Sequence, residues 1–74
     1  MNRKRKEVKK LKISRKKMEI AMARAQLNRD ALAQKAGMPR TSFYNVYSRC
    51  TCKPATAGRI AAALGVDVTE ILED

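Results

Sequence analysis

The stretch LAQKAGMPRTSF, Leu32–Phe43, decides the fold of this chain. It has small Ala33 four positions before Gly37, and apolar Phe43 six positions after that glycine. Glycine adopts the left-handed backbone conformation that ends many helices, and Pro39 suits the start of the next helix. The stretch therefore predicts two short helices joined by a tight turn at Gly37, the arrangement called a helix-turn-helix.

Apolar residues with helical spacing continue on both sides of this turn, and capping residues separate the segments. Ser14 and Asn28 are predicted N-caps of the first and second helices. The predicted helices cover residues 14–26, 29–36, 40–48 and about 56–64, followed by a short last helix that begins near Asp67. No segment alternates apolar and polar residues as a half-buried strand would. The sequence thus predicts an all-α fold of five short helices.

Positive charge is concentrated at the N-terminus. The chain has 74 residues, with 17 Lys and Arg against seven Asp and Glu, and a net charge of +10. Residues 1–17 contain ten of those basic residues and one acidic residue, Glu7. We therefore predict a flexible basic arm over residues 1–12 and a helix-turn-helix domain over residues 13–74. The arm either lies along phosphates, where it adds salt-dependent affinity, or serves as a solubilising tail.

The residue inventory argues against an enzyme. The chain has no His and two Cys, so it lacks the groups for a single-chain zinc site or for a Ser-His-Asp or Cys-His catalytic centre. We expect no cofactor, no metal and no small-molecule ligand. We interpret Cys50 and Cys52 as incidental free thiols, and a metal held by four sulfurs of a dimer stays open.

Nothing in the sequence indicates export or a membrane. No apolar run approaches the length of a membrane span, and the basic N-terminus lacks the apolar segment of a signal peptide. We therefore expect a cytoplasmic protein of a bacterial cell, associated with the nucleoid and with no membrane partner. A strongly basic chain of this size favours a polyanionic partner, and nucleic acid is the first candidate.

Two segments of the chain resemble one known family. Leu32–Phe43 resembles the motif of the Cro/repressor-type, or Xre-like, helix-turn-helix family. The segment IAAALGVDVTEIL, Ile60–Leu72, is similar to the closing segment of that family. The resemblance covers about residues 13–73 and is strongest to small phage and mobile-element regulators. It implies a compact five-helix, repressor-like DNA-binding domain and a transcriptional regulator, expected to act as a repressor.

The resemblance also implies that the third helix is a recognition helix that enters the major groove. It assigns base contacts to Pro39, Arg40, Thr41, Tyr44 and Asn45. Base-edge geometry favours guanine as the partner of Arg40 and adenine as the partner of Asn45. The predicted phosphate contacts are Asn28 and Arg29, at the start of the second helix, and Ser42, Arg49 and Lys53, along and after the third.

The chain departs from the family pattern at Met22, Arg29 and Tyr47, and the loop near Arg49 lacks a Gly that is frequent in the family. Arg29 stands where the family usually has Gln. An Arg can still contact a phosphate, but it cannot form the amide bridge to the recognition helix that the Gln would form. Met22 and Tyr47 stand where the family often has an Arg and a Glu that form a salt bridge. We expect a contact between the Met and the aromatic ring in its place.

The leading interpretation is a sequence-specific regulator that binds double-stranded DNA, and a homodimer on DNA stays open. A basic RNA-binding or ribosome-associated protein would have a similar size and charge. Helix-turn-helix spacing has no role in an RNA module that reads shape or stacks bases, so it favours DNA. A third alternative is an antitoxin or accessory interaction module of a mobile element, in which DNA binding is secondary.

Overall fold

The computed structural model describes residues 10–73. Within these residues the chain forms four α-helices, one two-stranded antiparallel sheet and one short 3₁₀ helix. In chain order the elements are β1 (Leu11–Lys12), α1 (Arg15–Ala25), α2 (Arg29–Lys35), α3 (Arg40–Arg49), β2 (Thr51–Cys52), α4 (Pro54–Leu64) and the 3₁₀ helix (Val68–Ile71).

Side-chain caps start the first two helices, as the sequence predicts. The Ser14 hydroxyl accepts a hydrogen bond from the Lys17 backbone N–H at 3.2 Å. The Asn28 side-chain oxygen accepts one from the Ala31 N–H at 2.7 Å. Each cap satisfies a helix N–H group that has no partner within the helix. The predicted starts of α1 and α2 are therefore confirmed.

The turn between α2 and α3 also has the predicted form. Gly37 has a φ of +71°, in the region that favours glycine. The Met38 N–H donates to the Ala33 carbonyl at 2.9 Å, and the Gly37 N–H donates to the Gln34 carbonyl at 3.1 Å. Ala33 is buried and Met38 is half-buried against the core. The turn thus fixes the angle at which α3 leaves α2.

The core lies between the helices and is built from aliphatic, Met and Phe side chains. α4 packs against α2 and the 3₁₀ helix, and α1 packs against the same 3₁₀ helix. No polar or charged residue among residues 10–73 is buried. The largest fully buried side chains are Phe43, Ile13, Met18, Leu32, Ile60 and Ile71.

The chain just before α1 is bonded on both of its edges. On one edge β1 pairs with β2, with Leu11 opposite Cys52, and the Ile13 N–H donates to the Cys50 carbonyl at 2.7 Å. On the other edge, the Ser14 N–H donates to the Ile71 carbonyl at 2.8 Å, and the Glu73 N–H donates to the Lys12 carbonyl at 3.0 Å. This segment therefore ties the end of α3 to the C-terminal end of the described chain.

The prediction of an all-α, five-helix domain is wrong. The structure has four α-helices and a small sheet, and the predicted fifth helix is a single turn of 3₁₀ helix within the described residues. Each strand has two residues, too few to produce an alternating pattern. In the last segment the Asp67 side chain accepts from the Thr69 N–H at 3.0 Å, and the Glu70 N–H donates to the Asp67 carbonyl. The latter is an i to i+3 bond, which defines the tighter helix.

The predicted basic arm, residues 1–12, falls only partly within the described chain. Residues 1–9 lie outside it, as does Asp74. Lys10 is exposed, and the last two residues of the predicted arm form β1. Over residues 10–73 no helix is both long enough and apolar enough to cross a membrane.

Candidate nucleic-acid interface

One side of α3 is packed into the core and the other side is open. Phe43 is fully buried and Val46 nearly so, which fixes the rotation of the helix. All five residues predicted to contact bases are exposed. The structure thus brings these side chains to the outer face and the N-terminal end of α3: Pro39, Arg40, Thr41, Tyr44 and Asn45.

Two of those side chains share one carboxylate of α2. Arg40 Nε lies 3.0 Å from Asp30 Oδ1, and the Tyr44 hydroxyl donates to the same oxygen at 3.0 Å. The Arg40 guanidinium also lies over the Tyr44 ring, 5.9 Å from its centroid. Hydrogen bonding with Tyr44 and the charge of Asp30 raise the pKa of Arg40 above its ordinary value.

Arg29 forms a different bridge between α2 and α3 from the one that the family pattern uses. Its guanidinium lies 5.6 Å from the centroid of the Tyr44 ring and 5.1 Å from that of Tyr47. Such contacts are attractive because the face of an aromatic ring is negative. Arg29 therefore links the start of α2 to α3 through two rings and keeps its N–H donors at the surface. Asn28, the other predicted phosphate contact here, uses its oxygen as the cap and retains its amide NH₂ as a donor.

Tyr47 joins α3 to α1. Its hydroxyl donates a short hydrogen bond to Glu19 Oε2. That bond, with partial burial and the charge of Glu19, raises the pKa of Tyr47. Met22 is buried and lines a shallow pocket together with Tyr47 and Glu19. The expected direct contact between Met22 and the ring stays a prediction.

Arg15 closes the C-terminal end of α3. Its Nη2 donates to the Tyr47 and Ser48 carbonyls, at 3.0 Å each, and its guanidinium lies 5.3 Å from the centroid of the Tyr47 ring. The last carbonyls of a helix have no partner within the helix and attract cations. One cation of the basic N-terminal block therefore has a structural role.

A second cluster of predicted contacts lines one surface groove, which we call the basic groove. It lies between the C-terminal half of α3, β2 and the start of α4, and it contains three cationic and no acidic side chains. Asn45, Arg49 and Lys53 are individually predicted DNA contacts, and Lys10 belongs to the predicted basic arm. The lining residues are Lys10, Asn45, Val46, Arg49, Thr51, Cys52, Lys53 and Thr56. Ser42, the remaining predicted phosphate contact, is exposed on α3 outside this groove.

Sequence reasoning missed the roles of Asp30 and Arg15, and it missed the position of Lys10 in the basic groove. Asp30 lies ten positions before Arg40, and Arg15 lies more than 30 positions before its acceptors. No local spacing rule connects residues that far apart, because helix side-chain pairs are three or four positions apart. Lys10 was predicted as part of the arm, and only the pairing of β1 with β2 brings it to the basic groove.

The two cysteines are free thiols. Cys50 Sγ lies 3.5 Å from the Tyr47 carbonyl. Burial raises the pKa of the Cys52 thiol, which disfavours the reactive thiolate. Over residues 10–73, no three His, Cys, Asp or Glu side chains are grouped so as to hold a metal ion.

The chain matches no protein-family model and no curated protein. A solved structure of a mutant of hydroxyethylphosphonate dioxygenase is similar to it, with a TM-score of 0.72 and 23% sequence identity. The match covers 86% of this chain and 14% of that protein, so the chain spans a small part of its length. At this identity the likeness shows a common fold and leaves the Xre-like resemblance a prediction.

Proposed function

We propose that the chain is a sequence-specific regulator of transcription that binds double-stranded DNA with α3 in the major groove, acting as a repressor. The observation that supports this best is the outer face of α3. That face presents a cation, a hydroxyl, a phenol and an amide on a helix whose opposite side is buried in the core through Phe43 and Val46. An α-helix fits the major groove, where each base pair has a distinct pattern of donors and acceptors.

The side chains of this face fit particular base edges. Arg40 has the forked donors that match guanine O6 and N7, and Asn45 can both donate to and accept from adenine. Tyr44 offers an aromatic edge to a sugar or a thymine methyl group. These three residues would carry the sequence preference, because contacts to base edges, unlike those to phosphates, distinguish sequences.

Phosphate contacts on both sides of α3 would hold the helix in register. Arg29 and Asn28 present donors at the start of α2. The basic groove presents Arg49, Lys53 and Lys10 at the other end of α3. Cations spaced along a recognition helix in this way neutralise phosphates of the backbone and give salt-dependent affinity.

The test is selection from a randomised library of duplex DNA, followed by fluorescence anisotropy at one fixed salt concentration. The selected duplex is compared with a scrambled duplex of equal length and with an RNA duplex of the same sequence. We expect the selected duplex to bind about 10³-fold more tightly than the scrambled one. Equal affinity for all three would contradict the proposal and indicate a non-specific polyanion-binding protein.

The selected sequence also reports the number of copies that bind. Two copies related by a two-fold axis select an inverted repeat, with half-sites about one helical turn apart. A single copy selects a short site without internal symmetry. Analytical ultracentrifugation of the complex then gives the stoichiometry directly.

A further inference from the structure

Asp30 is the acidic residue in the first turn of α2, and it faces the proposed DNA-binding side of the molecule. Its Oδ1 accepts from both Arg40 Nε and the Tyr44 hydroxyl, at 3.0 Å each. Both donors are among the residues that we propose contact bases. The ion pair is open to solvent, with the two side chains 53% and 70% exposed.

Folding stability does not explain this arrangement well. Exposed ion pairs contribute little to stability, because water screens the charges and both side chains lose freedom. A carboxylate on a surface that binds DNA also repels the phosphates. The position of Asp30 therefore favours a role in DNA recognition, in which its effect on the orientation of Arg40 matters more than its effect on the net charge of the surface.

The pair with Asp30 constrains which edge of Arg40 can reach a base. A guanidinium has five N–H donors in a fixed planar fork. Asp30 engages the side of that fork through Nε, and the guanidinium carbon lies over the Tyr44 ring, 5.9 Å from its centroid. The terminal edge with Nη1 and Nη2 is then the one available to pair with the two acceptors of guanine, O6 and N7.

We propose that Asp30 is a positioning residue that determines specificity, by holding Arg40 so that its terminal edge reads a guanine. This inference rests on the proposed function and adds to it the recognised base and the residue that enforces it. The alternative role for Asp30 is purely structural, because a negative charge in the first turn favours the helix dipole. That role affects unfolding and leaves base preference unchanged.

The experiment uses the full chain and the duplex selected by the wild-type protein. The guanine read by Arg40 is identified as the position at which Arg40→Ala loses its preference. Dissociation constants are then measured for duplexes that carry each base pair at that position. We expect the wild type to prefer guanine by roughly 5- to 150-fold, and Asp30→Ala to retain less than about 3-fold preference.

The matched control is Glu70→Ala, which removes the same charge from the 3₁₀ helix, away from α3. Both variants should bind the scrambled duplex slightly more tightly at low salt, because each lowers the repulsion of phosphates. Only Asp30→Ala should lose the guanine preference. If Asp30→Ala is unfolded at the assay temperature, Asp30→Leu, which keeps the approximate size of the side chain and removes both the charge and the acceptor oxygens, takes its place.

The outcomes separate this inference from the proposed function. A variant at position 30 that keeps the full guanine preference overturns the inference and leaves the proposed function intact. A wild-type protein that prefers no duplex sequence overturns the proposed function, and the inference with it. Loss of preference at every position of the site, instead of at one, also overturns the inference, since it indicates a structural effect.

Discussion

Arg40 has two restraints that an exposed arginine usually lacks, an ion pair to Asp30 and a ring beneath its guanidinium. An ordered side chain loses less freedom when it binds, so more of each contact appears as affinity. The proposed site therefore depends on single residues whose orientation is set before DNA arrives. Substitutions at this scale should separate sequence preference from general affinity.

We expect Arg40→Ala to weaken binding to the selected duplex by about 5- to 150-fold, because a forked contact to a base is lost. Binding to the scrambled duplex should change little. The control is Arg24→Ala, which removes the same charge from the exposed last turn of α1. Equal losses on the two duplexes for Arg40→Ala would mean that this residue contacts only phosphate.

Phe43 carries the packing of α3 against the rest of the molecule. It is fully buried. The centroid of its ring lies 6.3 Å from that of Tyr44 and 6.2 Å from that of Tyr47. We expect Phe43→Ala to lower the free energy of unfolding by about 3–5 kcal/mol, measured by urea denaturation. Ser42→Ala, at the exposed neighbouring position, should change it by less than about 0.5 kcal/mol. An unchanged midpoint for Phe43→Ala would contradict the assigned inner face of α3.

At the scale of elements, the turn between α2 and α3 sets where the outer face of α3 points. Gly37 adopts a left-handed conformation, and its carbonyl accepts from Arg59 Nη2 at 3.0 Å. This hydrogen bond connects the turn to α4, the helix that contains Arg59. The turn therefore depends on one glycine and on one cation from a distant helix.

Two glycine substitutions should have opposite effects on thermal unfolding. Gly37→Ala should destabilise the protein by about 1–2 kcal/mol, since an L-residue is strained at this φ. Its Cβ would also lie 3.1 Å from Arg59 Nη2. Gly58→Ala, within α4 and with no neighbouring atom within 4 Å of the added Cβ, should stabilise by about 0.5–1 kcal/mol. Equal signs for the two variants would contradict this interpretation of the turn.

The α-helices could be predicted from sequence because their signals are local. Ser14, Asn28 and Gly37 act on groups within a few positions of themselves, and the inward residues of α3 follow from helical period. The sheet could not be predicted, because its strands have two residues each and lie about 40 positions apart. The last turn could not be identified as a 3₁₀ helix, since Asp67 caps either kind of helix.

Some features of the candidate site likewise follow from local sequence, and others depend on packing between separate elements. The exposure of Arg40, Thr41, Tyr44 and Asn45 follows from the rotation that Phe43 imposes on α3. The pairing of Asp30 with Arg40 and the grouping around the basic groove depend on how separate elements pack. Such contacts cannot be inferred from the spacing of residues along the chain. The sequence therefore predicted which side chains of α3 are exposed, but it did not predict the contacts that other elements make with them.

At the scale of the whole molecule, the basic N-terminal block has more than one role. Arg15 caps carbonyls at the end of α3, and Lys17 Nζ donates to the Leu72 carbonyl at 3.2 Å. The pairing of β1 with β2 brings Lys10 to the basic groove, beside Arg49 and Lys53. The chain preceding Lys10 is therefore joined to the domain on the side where we propose that DNA binds.

Deleting residues 1–9 tests the predicted arm and spares both β1 and the basic groove. The deletion removes five cations, Arg3, Lys4, Arg5, Lys6 and Lys9. Each phosphate contact adds about 0.9 to the slope of log affinity against log salt, so we expect the slope to flatten by about 2–5 units. Unfolding should be unchanged, whereas deletion of residues 1–12 should destabilise the fold because it also removes β1.

The matched variant keeps the chain length and replaces the same five cations with Gln, which separates charge from the presence of the segment. If charge on phosphates is the cause, both variants should flatten the slope equally and weaken binding to selected and scrambled duplexes alike. The ratio of the two affinities should survive, because α3 is untouched. An unchanged slope would reduce the arm to a solubilising tail. Loss of the ratio would instead mean that the arm reads a minor groove, as some basic arms do.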